Sequence, residues 1–245
     1  MADAPDPLEL FVRKLSLHGP LAAGDRDAIL ALPYTLRTLD PQSYTVREGD
    51  APTLCCILLS GFAYRQKLTG DGSRQIVALH IPGDPLDLQN LFLDIADHNV
   101  QTLTRADLAF IPREAIRALV RSHPAIAHAV FVAILIEAST FREWVLNVGR
   151  RDSSTRLAHL LCEFAARLEA QGLADQYGYE LPMSQEQLAD ALGLTPVHIN
   201  RTLKALEADG LIKRDKRFVS FPDWKRMRNF ADFSARYLHL EPQAG

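Results

Sequence analysis

The spacing of apolar positions changes three times along the chain, and each change predicts a different kind of element. Over residues 8–32, Leu8, Phe11, Val12 and Leu15 recur at helical spacing, followed by Ile29 and Leu30. From Leu36 to about Ile111 the apolar runs are short and β-like, at 43–47, 55–59, 62–68 and 75–80. Between them stand the turns Glu48-Gly49-Asp50, Ser60-Gly61, Gly70-Asp71-Gly72 and Pro82-Gly83-Asp84. Short strands with Gly-rich punctuation predict a β-sandwich or barrel of jelly-roll type. Helical spacing returns over 113–121 and again, without a break, over about 124–148. In that long helix Val130, Ile134, Ala138, Phe141, Val145 and Val148 are three or four apart, the seam of a two-stranded coiled coil. Part of this stripe must pack on its own domain, and the remainder predicts a homodimer. Residues 149–152 read as a hinge.

The stretch 184–211 carries the sharpest local signal. Ser184 can cap a helix, and Gln187 three residues on completes a capping box. Leu188, Ala191 and Leu192 form one apolar face, and Gly193 ends the helix. Thr195 caps a second helix with Pro196 at its first position. Ile199, Leu203 and Leu206 face inward, which leaves Val197, His198, Asn200, Arg201 and Lys204 outside. Asn and Arg pair bidentately with adenine and guanine edges in the major groove. The segment therefore reads as a helix-turn-helix with a base-reading helix. After it, 211–221 forms two β-like runs around a charged turn, with Lys213, Arg214, Lys216 and Arg217 at the tip. A basic hairpin in this place is a wing positioned for phosphates. Ser184, Thr195 and Lys204 are further candidate phosphate contacts.

Composition adjusts this picture only locally. The net charge is −3, yet residues 201–228 hold nine Lys/Arg against four Asp/Glu. A local basic stripe suffices for counterion release. The N-terminal ten residues show no basic segment followed by an apolar run, so no signal peptide is expected, and 125–138 reads as too short to span a bilayer. Three Cys predict a reducing, cytoplasmic setting without disulfides. Residues 223–239 read as a final helix whose Lys225, Arg226 and Arg228 are solvated.

The order of these parts resembles the Crp/Fnr family of bacterial transcription regulators. The resemblance rests on Glu48-Gly49-Asp50, the 58–61 run Leu-Leu-Ser-Gly, Pro82-Gly83-Asp84 and the block 181–212, and it covers nearly the whole chain. It implies an α+β protein. Residues 1–123 would be a jelly-roll β-barrel of cyclic-nucleotide-binding type, 124–149 a dimerisation helix and hinge, and 150–245 a winged helix-turn-helix. The implied partners are double-stranded DNA, a second copy of the chain and RNA polymerase, with no membrane. The implied operator is an inverted repeat.

Two departures from the family pattern bear on the effector. Cyclic-AMP binders carry Gly-Glu after the Pro-Gly-Asp turn and Arg-Ser or Arg-Thr about ten residues later; this chain has Asp87-Leu88 and His98-Asn99. Leu88 accepts no hydrogen bond, Asp87 repels a phosphate, and Phe141 and Arg142 replace small hydroxyl residues. Leu86, Asp87, Leu88, His98, Asn99, Phe141 and Arg142 thus mark an atypical pocket, and control by cyclic AMP is not expected. No Cys precedes Cys55, so no iron–sulfur cluster is expected. Cys55 and Cys56 are adjacent on a strand and point to opposite faces. Other effectors stay open: a haem with His80 or His98 as ligand, a redox signal or another small molecule on which DNA binding would depend. In the reading helix, Val197 stands where well-known members place a cytosine-reading Glu, while Arg201 keeps the guanine-reading position. An enzyme on the β-roll, such as a cupin oxygenase, would need clustered His ligands, and His80 stands alone. No enzymatic activity is expected. A ligand-binding module that uses its helix-turn-helix on proteins is the other rival class, and the basic wing argues against it.

Overall fold

The computed structural model describes residues 6–174 and 178–240. These fall into two compact units, one drawn from 6–66, 79–138 and 239–240, the other from 67–78 and 139–238.

The first unit opens with α1 (Glu9–Ser16) and α2 (Ala23–Leu30). The strands up to residue 112 are β1 (Thr35–Leu39), β2 (Tyr44–Val46), β3 (Leu54–Ser60), β4 (Ala63–Leu68), β5 (Arg74–His80), β6 (Asn99–Thr102) and β7 (Ala106–Pro112), of which the end of β4 and most of β5 are counted with the second unit. They form two sheets, β1-β7-β3 and β2-β6-β4-β5, a jelly-roll arrangement of two layers and not one closed barrel. β3 is apolar on both faces because both are covered. Cys55 joins the core under α1, α2 and the helices that follow β7, whereas Cys56 joins the core that Val46, Leu86, Val100 and Leu108 share. β1 escapes the sequence pattern because four of its five residues are exposed; only pairing with β7 makes it a strand. Gly61, in the β3–β4 turn, has φ +74°, and a Cβ there would lie 2.3 Å from the Arg105 carbonyl oxygen. Only glycine fits that position.

After α3 (Arg113–Ser122), α4 (Pro124–Arg150) runs through both units. The run 125–138 is only part of it; by length and composition alone the whole 27-residue helix is long and apolar enough to cross a bilayer. Its seam differs from the expected one. Val130 is buried in the core of the first unit and Ile134 packs partly against it. Val148 reaches within 3.5 Å of where a Cβ on Gly193 would stand. The free apolar stripe keeps Ala138, Phe141 and Val145 of that seam but takes Phe131 and Leu135 in place of Val130 and Ile134. Phe131 (60% exposed), Leu135 (51%), Ala138 and Val145 (58%) form it, with Phe141 beside it. Their spacing of four, three and seven follows a heptad.

The second unit is built on α5 (Ser153–Ala170), capped by Asp152, whose carboxylate accepts from the Ser154 and Thr155 amides. Inside it Glu163 is fully buried. It accepts from Trp144 Nε1 at 3.0 Å and from Tyr237 Oη at 2.8 Å, and burial pushes its carboxyl above the ordinary range. β8 (Gly178–Glu180), α6 (Gln185–Leu192), α7 (Pro196–Ala208), β9 (Lys213–Asp215) and β10 (Phe218–Ser220) follow, with sheet order β8-β10-β9. The C-terminal segment is not one helix. α8 (Trp224–Phe230) ends before Asp232, which adopts φ +48°, and a 3₁₀ turn at Ala235–Leu238 returns Tyr237 to Glu163.

Candidate nucleic-acid interface

Local chemistry fixes the two helices as the sequence predicts. Ser184 Oγ accepts from the Gln187 amide at 3.2 Å, and the Ser184 amide donates to Gln187 Oε1 at 2.8 Å. Gly193 turns the chain with φ +63°. Thr195 Oγ1 then accepts from the His198 amide at 3.2 Å, and Pro196 takes the first helical position, where its missing N–H costs nothing.

α7 buries Ile199, Thr202, Leu203 and Leu206. It exposes Val197 (81%), Arg201 and Lys204, with Asn200 half-buried. His198, a candidate base reader, is also held from within the protein. Its ring is half-buried, and Nε2 lies 2.9 Å from Ser153 Oγ and 3.3 Å from Arg201 Nη2. Its side chain is thus engaged with the protein and not simply held out toward a groove.

The wing cations divide into two kinds, which sequence could not separate. Arg214 pairs with Glu207 at 2.5 Å, and that hydrogen bond holds the Glu207 carboxyl below its ordinary range. Arg217 donates to the carbonyls of Leu181 and Pro182, bracing the chain as it leaves β8. Both therefore build the wing. Lys213 and Lys216 are exposed, and Lys216 sits in the β9–β10 turn with φ +54°. A groove of about 270 Å³ runs between the start of α6 and the wing, lined by Ser184, Gln185 and Lys216 among others. The N-terminal end of a helix and a cation thus meet at one edge, which suits a phosphate.

In the β-roll, the expected pocket residues are occupied by the fold itself. Leu86 and Leu88 are buried in separate cores. Asp87 is fully buried; Oδ1 accepts from the Cys56 amide at 3.1 Å, and burial pushes its carboxyl up to about 7. Asn99 Oδ1 accepts from the Glu48 amide at 3.1 Å. His98 Nδ1 meets Asp97 at 2.5 Å, and its Nε2 lies 3.0 Å from Gln89 Nε2. Phe141 and Arg142 belong to the second unit, and both are exposed.

Three residues that the sequence reading did not single out complete this region. Arg65 on β4 donates to the Leu86 carbonyl at 2.8 Å and to Gln89 Oε1 at 3.5 Å, and it forms an ion pair with Glu137 of α4. The available signal was Glu137, an acid inside the most apolar run of the chain. Among the described residues, no three His, Cys, Asp or Glu side chains are placed to share a metal. All three Cys are buried, and burial raises each thiol above its ordinary value.

Two family models match the chain: a cyclic nucleotide-binding domain over residues 36–123 and a Crp-like helix-turn-helix domain over 155–230. The nitrogen fixation regulation protein FixK of Bradyrhizobium diazoefficiens is 32% identical over 171 residues, 67% of this chain and 68% of that protein. The transcriptional activator protein FnrL of Cereibacter sphaeroides is 28% identical over 184 residues, 74% of this chain and 73% of that one. The solved structure of FixK2 from Bradyrhizobium japonicum superposes with a TM-score of 0.75 at 23% identity, covering 83% of this chain and 100% of that chain.

Proposed function

The chain belongs to the Crp/Fnr family of transcription regulators, DNA-binding proteins and not enzymes; on that premise we propose that it works in the cytoplasm as a homodimer that reads an inverted-repeat operator without a cyclic nucleotide. In this reading residues 1–123 form a β-roll scaffold, 124–149 the dimerisation helix and hinge, and 150–245 the DNA-binding domain. RNA polymerase is the protein it acts upon.

The observation that carries DNA reading is α7 itself. It is capped at Thr195, anchored by Ile199, Leu203 and Leu206, and exposes Val197, Arg201 and Lys204. Arg201 reads guanine, Asn200 supplies a second polar contact, and Val197 offers apolar contact to a thymine methyl. Lys204, Lys213 and Lys216 meet phosphates, joined by Ser184 and Thr195 at the two helix starts. The dimer seam is Phe131, Leu135, Ala138 and Val145, with Phe141 at its margin. Covering this stripe with a second copy removes it from water and needs no lipid.

Freedom from cyclic AMP rests on the Arg65 cluster. The cationic side chain available to a cyclic phosphate is already engaged by Glu137 and the Leu86 carbonyl. The carboxylate of Asp87 stands beside it, without the Glu and Arg that the family uses for ribose and phosphate.

The direct test compares variants on a selected operator. Arg201→Ala should cost about 1–3 kcal/mol and relax preference at one base pair. Lys216→Ala should weaken all sequences alike and lower the salt slope by about 1. Arg201→Ala binding the operator with unchanged preference at every base pair would remove the assignment.

A further inference from the structure

We propose that Ser153 and His198 form a positioning relay that aims Arg201, so that Ser153 helps set sequence discrimination without touching DNA. The inference rests on the reading of Arg201 as the guanine reader and adds the device that orients it.

His198 and Arg201 are three residues apart, so both project from one face of α7. A guanidinium only donates. The 3.3 Å approach of Arg201 Nη2 therefore requires a lone pair on His198 Nε2, which places the ring proton on Nδ1. Ser153 Oγ stands 2.9 Å from the same nitrogen, and its hydroxyl donates to the one lone pair that the guanidinium shares. One acceptor nitrogen thus serves a donor on α5 and a donor on α7.

Ser153 is itself well fixed. It is the first residue of α5, and the preceding Asp152 accepts from the Ser154 and Thr155 amides and from Thr155 Oγ1. These hydrogen bonds hold the Asp152 carboxyl below the ordinary range, a sign of how firmly the turn is made. The relay therefore runs from a capped helix start, through an imidazole, to the guanidinium.

The chemistry of the middle member suits this role. A carboxylate partner would offset the guanidinium charge, as Glu207 does to Arg214. A neutral imidazole takes one N–H and leaves the positive charge and the remaining donors for a base. Holding one terminal nitrogen removes rotamer freedom that a long side chain otherwise loses on binding. A base contact depends on that orientation; a phosphate contact tolerates its loss.

The test uses the full-length protein and an operator obtained by selection from random duplex. Ser153→Ala, Ser153→Thr, Arg201→Ala and the Ser153→Ala/Arg201→Ala double variant are titrated with the operator and with duplexes changed at single base pairs, each at several salt concentrations. Ser153→Ala should lose about three- to tenfold of the discrimination at the base pair that Arg201→Ala erases, part of what one bidentate contact supplies. Its salt slope, its affinity for unrelated duplex and its thermal midpoint should stay those of the parent. Ser153→Thr, which keeps the hydroxyl, should restore discrimination. The double variant should lose no more than Arg201→Ala alone, since both act on one contact. Unchanged discrimination in Ser153→Ala, beside a clear loss in Arg201→Ala, overturns the relay and leaves the guanine reader standing. A Ser153→Ala loss shared by all sequences, with a lower salt slope, makes Ser153 a phosphate contact and also overturns it. Unchanged discrimination in Arg201→Ala removes both the reader and the relay.

Discussion

Replacing Asp87 by Asn should stabilise the protein at alkaline pH and leave it unchanged in acid. Asp87 has no exposure, and its carboxyl is pushed from the ordinary value of 3.8 up to about 7. Burial is the main cause; the Cys56 amide and the Arg65 charge pull the other way without cancelling it. A carboxyl raised in the folded state keeps its proton where the unfolded chain has lost it. Stability from this group therefore falls as pH rises from about 4, and the whole penalty is in place above about 7. That displacement corresponds to about 4 kcal/mol, an upper bound because the folded state relaxes around the charge. Asn has nearly the same volume and keeps an oxygen for the Cys56 amide, while Arg65 keeps Glu137 as its counter-charge. Urea unfolding at pH 8 and fixed protomer concentration should show Asp87→Asn ahead by about 2–4 kcal/mol, with the gain vanishing near pH 4. An equal gain at both values, or a loss at pH 8, would refute the argument that an ionised carboxylate is buried there.

Other perturbations address other parts of the molecule. Leu135→Glu places a charge in the middle of the free stripe on α4; light scattering should report a monomer, and operator binding should be lost at concentrations that saturate the parent. Gly61→Ala sets a methyl 2.3 Å from a carbonyl oxygen at a positive φ, and soluble folded protein should not be recovered. Tyr237→Phe removes the 2.8 Å hydrogen bond to buried Glu163 and should cost about 1–3 kcal/mol in thermal or urea unfolding, without changing DNA preference.

What could be read from the sequence was set by local chemistry. Ser184, Gln187, Gly193, Thr195 and Pro196 act within three or four residues of themselves, so both helices and their inward faces were legible. Short strands were not: β1 is mostly exposed and β8 spans three residues, so neither carries an alternation of its own. On α4 only the first part of the expected seam changed, Val130 and Ile134 giving way to Phe131 and Leu135, because several apolar positions compete and packing against the β-roll decides which face is free. Charged residues were the least legible. Lys213 and Arg214 are neighbours in sequence, yet only Arg214 meets Glu207. The contact of the His198 ring with Ser153, forty-five positions earlier, carries no local signal. Arg65 and Glu137 were invisible as a pair because their meeting depends on the tertiary fold.

The most direct measurement is selection of random duplex DNA by the purified protein with no ligand added, followed by sequencing of the retained pool. The account predicts enrichment of an inverted repeat, with half-site centres about 10–10.5 base pairs apart or a multiple of that. Each half-site should hold a guanine whose replacement is tolerated by Arg201→Ala. Weak, sequence-independent retention alone would contradict binding without an effector, and enrichment of single asymmetric sites would contradict the dimer.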